Sequence, residues 1–292
     1  MFNRVVVGCD GSPESRDAVA LGAEIASATG AGLSLVGVSE TTLFPIAGMT
    51  DRRTLHREMQ RELYELKHDL APDAAVHVVY GHSIPRSLTD FARRWHADLV
   101  VVGSHSGTEQ GRVEISRRSR QLIGAPFNLA VAQRGFADRD NGLRHIGVGY
   151  EGGAESVAAL ELASELARTG SGELSVMTVV EYNATAVPVA LAPGAAGWDA
   201  AFEDARKAAL TETEHAAQRT GLRYSASAEV GSPGAQLRAF SDTVDLLVVG
   251  SRRWGTIARV IAGSVAETLV AGAGCSLLIA RRPRANTPTK AS

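Results

Sequence analysis

Short apolar runs alternate along the chain with longer segments whose apolar residues recur at helical spacing. In the first half, five apolar runs predict strands at Arg4–Cys9, Leu33–Val38, Ala75–Tyr80, Leu99–Gly103 and Asn128–Ala132. The segments between them predict an irregular loop over residues 39–50 and helices at Pro13–Ala28, Arg52–Leu70, Pro85–His96 and Ser116–Ile123. The strand runs are continuously apolar, which is typical of parallel sheets buried on both faces.

The same pattern restarts after a polar, glycine-bearing linker at Arg134–Gly142. Residues 145–153 match residues 4–12 at an offset of 141, and the offset then drifts by a few residues, as loop insertions would cause. The repeat predicts strands at Leu174–Val180, Tyr224–Val230, Leu246–Gly250 and Ser276–Ala280 and a long helix at Trp198–Thr220. We therefore expect two domains, at residues 1–135 and 143–283, followed by a disordered tail from Arg281 to Ser292.

Alternation of apolar strands with helices predicts the α/β class. Each half is expected to form a doubly wound parallel sheet of five strands, with right-handed crossovers and helices on both faces.

Composition narrows the classes of function. The chain has 292 residues and a formal net charge of −2, so it lacks the basic surface that nucleic acids or anionic lipids attract. Its two cysteines are far apart and form no disulfide framework. No apolar run approaches a membrane span of roughly 18 residues, and the first apolar run is too short for a signal peptide. We expect a cytoplasmic protein with neither a nucleic-acid nor a membrane partner.

Ligands of open parallel sheets bind beyond the carboxyl ends of the strands, where the strand order reverses. The residues at the ends of the first, second and fourth strands are Asp10, Val38 and Gly103 in one half and Glu151, Val179 and Gly250 in the other. A carboxylate there can accept hydrogen bonds from a ribose or a base edge, and glycine lets the backbone approach a phosphate. The valines would contribute through their backbone. Gly263-Ser264-Val265, which would open a helix, offers free N–H groups to an anion.

This arrangement resembles the universal stress protein family, with two such domains fused over nearly the whole chain. Nucleotide-binding members of that family carry Gly-x-x-Gly, nine residues and then Gly-Ser or Gly-Thr; other members lack the motif and bind no ATP. The resemblance implies a sheet order of 3-2-1-4-5, with the fifth strands of the two domains paired about a pseudo-two-fold axis. It also implies binding of ATP, with or without Mg²⁺, or of another adenine nucleotide, without efficient catalysis. Fused pairs can associate further as homodimers.

The second half keeps Gly250, Gly263 and Ser264 of the motif, but Arg253 replaces the second glycine. A non-glycine residue at positive φ costs about 1–2 kcal/mol, which the arginine can offset by reaching a phosphate. Glu151 is one methylene longer than the aspartate of the family.

The first half departs from the motif in the opposite way. It keeps Asp10, the turn glycine Gly11 and Gly103, whereas Ser106 replaces the second glycine and Ser116-Arg117 replaces the closing Gly-Ser. Arg117 and its neighbouring arginines either bind phosphate through their side chains or form a solvated helix face. Asp10 either caps the first helix or contacts a ligand.

Two functions of different classes follow. One is a non-catalytic stress or signalling module that binds an adenine nucleotide, more tightly in the second half. The other is an interaction scaffold whose nucleotide sites have degenerated and which acts through an unknown protein partner. A slow ATPase is a third alternative, although no general base or nucleophile stands out.

Overall fold

The computed structural model describes residues 1–40, 52–139, 142–181, 195–251 and 264–281. The first half contains β1 (Arg4–Cys9), α1 (Pro13–Thr29), β2 (Gly32–Glu40), α2 (Arg52–Leu70), β3 (Ala75–Gly81), α3 (Ile84–Arg94), β4 (Leu99–Gly103) and β5 (Asn128–Ala132). The second half contains β6 (His145–Gly149), α4 (Ala154–Thr169), β7 (Glu173–Glu181), α5 (Ala195–Gln218), β8 (Tyr224–Gly231), α6 (Pro233–Ser241), β9 (Leu246–Gly250), α7 (Ser264–Leu269) and β10 (Ser276–Ala280). Most of the predicted loop at 39–50 and of the predicted tail at 281–292 lies outside the described residues.

Helix α1 shows how local sequence sets the element boundaries. Ser12 is its N-cap and accepts a hydrogen bond from the Ser15 amide, and Pro13 occupies the first turn, where no amide partner is needed. The helix ends at Gly30, whose φ of 68° lies in the left-handed region that glycine adopts readily.

The ten strands formed by the described residues join one sheet, in the order β3-β2-β1-β4-β5-β10-β9-β6-β7-β8. Within each half the strands are parallel, and the two halves meet where β5 and β10 pair antiparallel, with Ala130 opposite Leu278. The predicted α/β class, the order 3-2-1-4-5 and the pairing of the fifth strands are confirmed.

The apolar core forms a layer on each face of the sheet. One layer lies under α1, α2, α4 and α5 and includes Leu21, Leu63 and Leu166; the other lies under α3, α6 and α7 and includes Leu88 and Leu269. No helix in the described part of the chain is long and apolar enough to cross a membrane.

The predicted helix at Ser116–Ile123 is wrong, because only a short 3-10 helix forms at Ser119–Leu122. The chain before it reaches across to the second half instead. The Val113 amide donates to the Ala273 carbonyl at 2.9 Å, and the Ile115 amide donates to the Val270 carbonyl at 2.9 Å. Arg112 adds an ion pair with Asp242 at 2.6 Å. We call residues 112–115 the brace. It binds the β4–β5 connection of the first half to the segment that follows α7.

Buried carboxylates hold the connection between the halves in place. The Asp17 carboxylate on α1 accepts the amides of Gly135 and Ala137 at 2.8 and 2.9 Å. Asp245 accepts the amides of Arg144 and His145 at 3.0 and 2.8 Å. Burial raises the pKa of Asp17 above its usual value, against the effect of the two amides. The connection between β5 and β6 is therefore anchored by acceptors from both halves.

We expect Asp17→Ala to lower the free energy of unfolding by about 2 kcal/mol, because two amides lose a charged acceptor while the cost of burying that charge also disappears. Urea unfolding would measure the change. Asp69→Ala is the matched control, since Asp69 is exposed and pairs only with Arg16 and His68 at the surface. Little change is expected for the control. Equal changes in both variants would show that Asp17 does not anchor the linker.

Candidate functional site

The strand order reverses between β1 and β4 in the first half, because the chain passes from β1 to β2 on one side and later adds β4 on the other. This is the position where open parallel sheets leave a crevice at the carboxyl ends of their strands. A cavity of about 250 Å³ lies there. It is enclosed by the ends of β1, β2 and β4, the start of α1, the start of α3 and the β4–β5 connection.

The wall of the cavity carries both apolar and polar side chains. Its apolar residues are Val36, Val38, Ile84, Pro85, Leu88, Val102 and Leu122. Its polar residues are Asp10, Ser12, Glu14, Ser15, Ser104, His105, Ser106, Ser116, Arg118 and Ser119. A ligand with a flat apolar part and a polar or anionic part would match this mixed lining.

Asp10 is held in a tight turn at the end of β1. Its carboxylate accepts the Ser12 amide at 3.1 Å and the Ser15 hydroxyl at 2.7 Å, while its own amide donates to the Ser15 hydroxyl at 2.9 Å. Gly11 has a φ of 79°, which the turn requires, and it does not line the cavity. Partial burial opposes ionisation, but the hydrogen bonds from Ser12 and Ser15 outweigh it and lower the pKa of Asp10. Asp10 is therefore a fixed anion in the cavity wall as well as a turn residue.

The second half repeats this turn with one difference. Gly152 has a φ of 78°, and the Glu151 amide donates to the Ser156 hydroxyl at 3.3 Å. However, Ser156 donates to the Gly153 carbonyl at 2.9 Å, whereas Ser15 donates to the Asp10 carboxylate. Ser156 thus does not hold the longer Glu151 side chain as Ser15 holds Asp10.

The glycines that end β4 and β9 have a packing role. A Cβ at Gly103 would overlap the carbonyl oxygen of Glu14 in the first turn of α1. A Cβ at Gly250 would stand 2.7 Å from the carbonyl oxygen of Glu155, in the first turn of α4. Close approach of helix and strand explains both glycines, whether or not a phosphate binds.

The β4–β5 connection supplies the rim of the cavity. Ser104 is buried and donates to the Ala132 carbonyl at 2.7 Å, whereas His105 and Ser106 are exposed at the mouth. Arg118 lines the cavity, but its neighbour Arg117 is exposed and does not. The sequence hypothesis included Arg117 among the site residues, and the structure places Arg118 there instead.

The second motif is only partly described. Gly250 ends β9, Ser264 begins α7 and Val265 packs against the core, and Val179 lies half-buried on β7. Arg253 and Gly263 lie outside the described residues.

Sequence reasoning missed much of the cavity wall. Ile84, Pro85 and Leu88 belong to α3, which the sequence pattern predicts as a helix without indicating that it lies against the strand ends. Ser15 was missed because its role depends on the fold of the turn. The available signal was the start of α1, since an N-cap that follows a strand end places hydroxyl groups at the crevice.

The described residues hold no group of three or more histidine, cysteine or acidic side chains that could bind a metal ion. Cys9 lies at the base of the cavity, and burial raises the pKa of its thiol. The thiol is therefore protonated near neutral pH and is a poor nucleophile.

Comparison with known proteins identifies the family. The model of the universal stress protein family matches residues 1–124 and 142–281. A universal stress protein of Methanocaldococcus jannaschii is 23% identical over 150 residues, which cover 50% of this chain and 86% of that protein. A universal stress protein structure from Archaeoglobus fulgidus matches with a TM-score of 0.65 at 15% identity, covering 96% of this chain and 98% of that one. A universal stress protein structure from Pseudomonas aeruginosa, described as putative, matches with a TM-score of 0.63 at 13% identity and covers 96% and 93%. Because the family model spans most of both halves, the chain belongs to the universal stress protein family and carries two of its domains in tandem.

Proposed function

We propose that the chain is a non-catalytic adenine-nucleotide-binding module of the stress response, with a working site in the cavity of the first half. The observation that carries this proposal is a cavity with both apolar and polar lining residues at the point where the strand order reverses. The base would lie against Val38 and Leu88, the ribose would donate to Asp10, and phosphate would lie at the serine-rich rim.

The chemistry of the wall supports binding without group transfer. The Ser15 hydroxyl both donates to Asp10 and accepts its amide, so it is committed to the turn. The Cys9 thiol has a raised pKa. Within the part of the chain that the structure describes, neither group is hydrogen-bonded to a histidine or lysine base, which a nucleophile at neutral pH requires.

The second half is proposed to bind an adenine nucleotide, ATP with or without Mg²⁺, through Gly250, Gly263 and Ser264, with Arg253 reaching a phosphate. This part of the proposal rests on the motif in the sequence.

A second candidate function, an interaction scaffold, is favoured by the packing role of Gly103 and Gly250. Because helix packing alone accounts for these glycines, their presence does not require a nucleotide. An unknown protein partner, or a second copy of the chain, would then bind the surface.

Calorimetric titration and thermal shift with millimolar ATP and AMP test the proposal. Micromolar affinity corresponds to about 8 kcal/mol and would raise the melting temperature. Ser106→Trp should fill the mouth of the cavity and abolish binding to the first half, whereas Glu109→Trp, on the same loop but outside the lining, should not. Gly263→Asp should remove binding by the second half. If neither nucleotide binds the intact chain and none is carried through purification, the scaffold is the better interpretation.

A further inference from the structure

The turn at Ser116–Gln121 uses three of its backbone amides internally. The Ser119 amide donates to the Ser116 hydroxyl at 3.0 Å, the Arg120 amide to the Ser116 carbonyl at 3.0 Å and the Gln121 amide to the Arg118 carbonyl at 3.1 Å. Phosphates bind helix starts and glycine loops through free amides. These three amides are therefore not available to a polyphosphate chain.

Side chains supply the remaining donors. The Ser116 hydroxyl donates to the Ser119 hydroxyl at 2.9 Å, which directs the hydrogen of Ser119 elsewhere. Within the described part of the chain that hydrogen has no acceptor, and Ser119 lines the cavity. Among the lining residues that the structure describes, Arg118 is the one lysine or arginine, and its guanidinium can hold two oxygens of one phosphate. Together these groups match one phosphate group.

The charge of the cavity wall and the volume of the cavity also favour a ligand with a single phosphate. Asp10 and Glu14 line the cavity together with Arg118, so the wall carries more acidic than basic side chains. Hydrogen bonds keep the pKa of Asp10 low, so this residue repels additional phosphates. The cavity of about 250 Å³ lies below the roughly 300–1,000 Å³ of most small-molecule sites. Each added phosphate would extend past the rim into solvent.

We propose that the cavity of the first half selects a nucleoside monophosphate over the corresponding triphosphate, with its phosphate bound by Ser119 and Arg118. This inference rests on the proposed function of the same cavity. It adds the class of nucleotide that the cavity prefers and the residues that bind the phosphate. The two halves would then differ in the number of phosphates that they accept.

Titration of the full chain carrying Gly263→Asp with adenosine, AMP and ATP tests the proposal, because that variant leaves only the first half to bind. AMP should bind roughly tenfold more tightly than either adenosine or ATP. Ser119→Ala and Arg118→Ala should each weaken AMP about fivefold or more and leave adenosine unchanged. Arg117→Ala, a neighbouring exposed arginine outside the lining, should change neither ligand.

The unmodified chain provides a second measurement should Gly263→Asp fail to fold. In that chain, the loss of nucleotide binding caused by Ser106→Trp measures the contribution of the first half. This loss should be larger for AMP than for ATP. ATP binding as tightly as AMP, or adenosine binding as tightly as AMP, would overturn the monophosphate proposal and leave nucleotide binding intact. If none of the three ligands binds to the first half, the proposed function itself fails there.

Discussion

Gly103→Ala is expected to lower the melting temperature by about 5 °C in the absence of any ligand, from a loss on the order of 3 kcal/mol. The new Cβ would overlap the Glu14 carbonyl oxygen, which is backbone and cannot rotate away. Helix α1 would have to move off the end of β4, and the wall of the cavity would move with it. Differential scanning calorimetry would measure the shift.

Gly32→Ala is the matched control, because Gly32 also lies in a strand and a Cβ there would stand 3.8 Å from the Asn3 carbonyl oxygen, an ordinary van der Waals contact. The control should be close to neutral. Gly250→Ala should be destabilising in the same way as Gly103→Ala, since its Cβ would lie 2.7 Å from a backbone oxygen of α4. Unchanged stability of Gly103→Ala would show that packing does not require this glycine. Contact with a ligand would then be the better explanation for glycine at position 103.

Ala130→Asp is expected to prevent folding of the whole chain, because it places a carboxylate where the two halves share one sheet. Ala130 is fully buried on β5, opposite Leu278 of β10. An unpaired buried charge costs more than about 4 kcal/mol. Soluble yield and circular dichroism would report the loss, and Ala208→Asp, at an exposed position of α5, should fold normally.

A milder variant tests whether the halves unfold together. Ala130→Val overpacks the same position by about 1–3 kcal/mol and should leave a folded protein. Calorimetry should then show a single transition that moves as a whole to lower temperature. Two separate transitions, of which only one moves, would contradict cooperative unfolding across the β5–β10 pair.

The sheet could be predicted because its strands are buried on both faces, so nearly every residue of Leu99–Gly103 and Leu246–Gly250 is apolar or glycine. Helix α1 could be predicted because its cap, Ser12-Pro13, is a local signal. The failure at Ser116–Ile123 has a different origin. The amides of Val113 and Ile115 bind carbonyls of the second half, and that pairing, distant in sequence, sets the path of the following residues.

In the candidate site, too, the residues that could be predicted are those with a local sequence signal. Asp10, Val38 and Gly103 were predicted because they end strands, and strand ends are visible in the sequence. Arg118 could not be separated from Arg117, because both are exposed arginines and only the path of the turn directs one to the cavity. The anchoring of the linker by Asp17 was also invisible, since the contact joins residues 118 positions apart.

The junction of β5 with β10 has a consequence for how this protein can evolve. In a dimer of identical chains, every substitution appears twice, so a change that harms one site harms both. Here each position is encoded once, and the two halves stay together through the covalent linker and the shared sheet. A position such as Ser116 or Arg253 can therefore be substituted in one half without altering the corresponding position of the other half. The two halves of the fused chain can then acquire different functions.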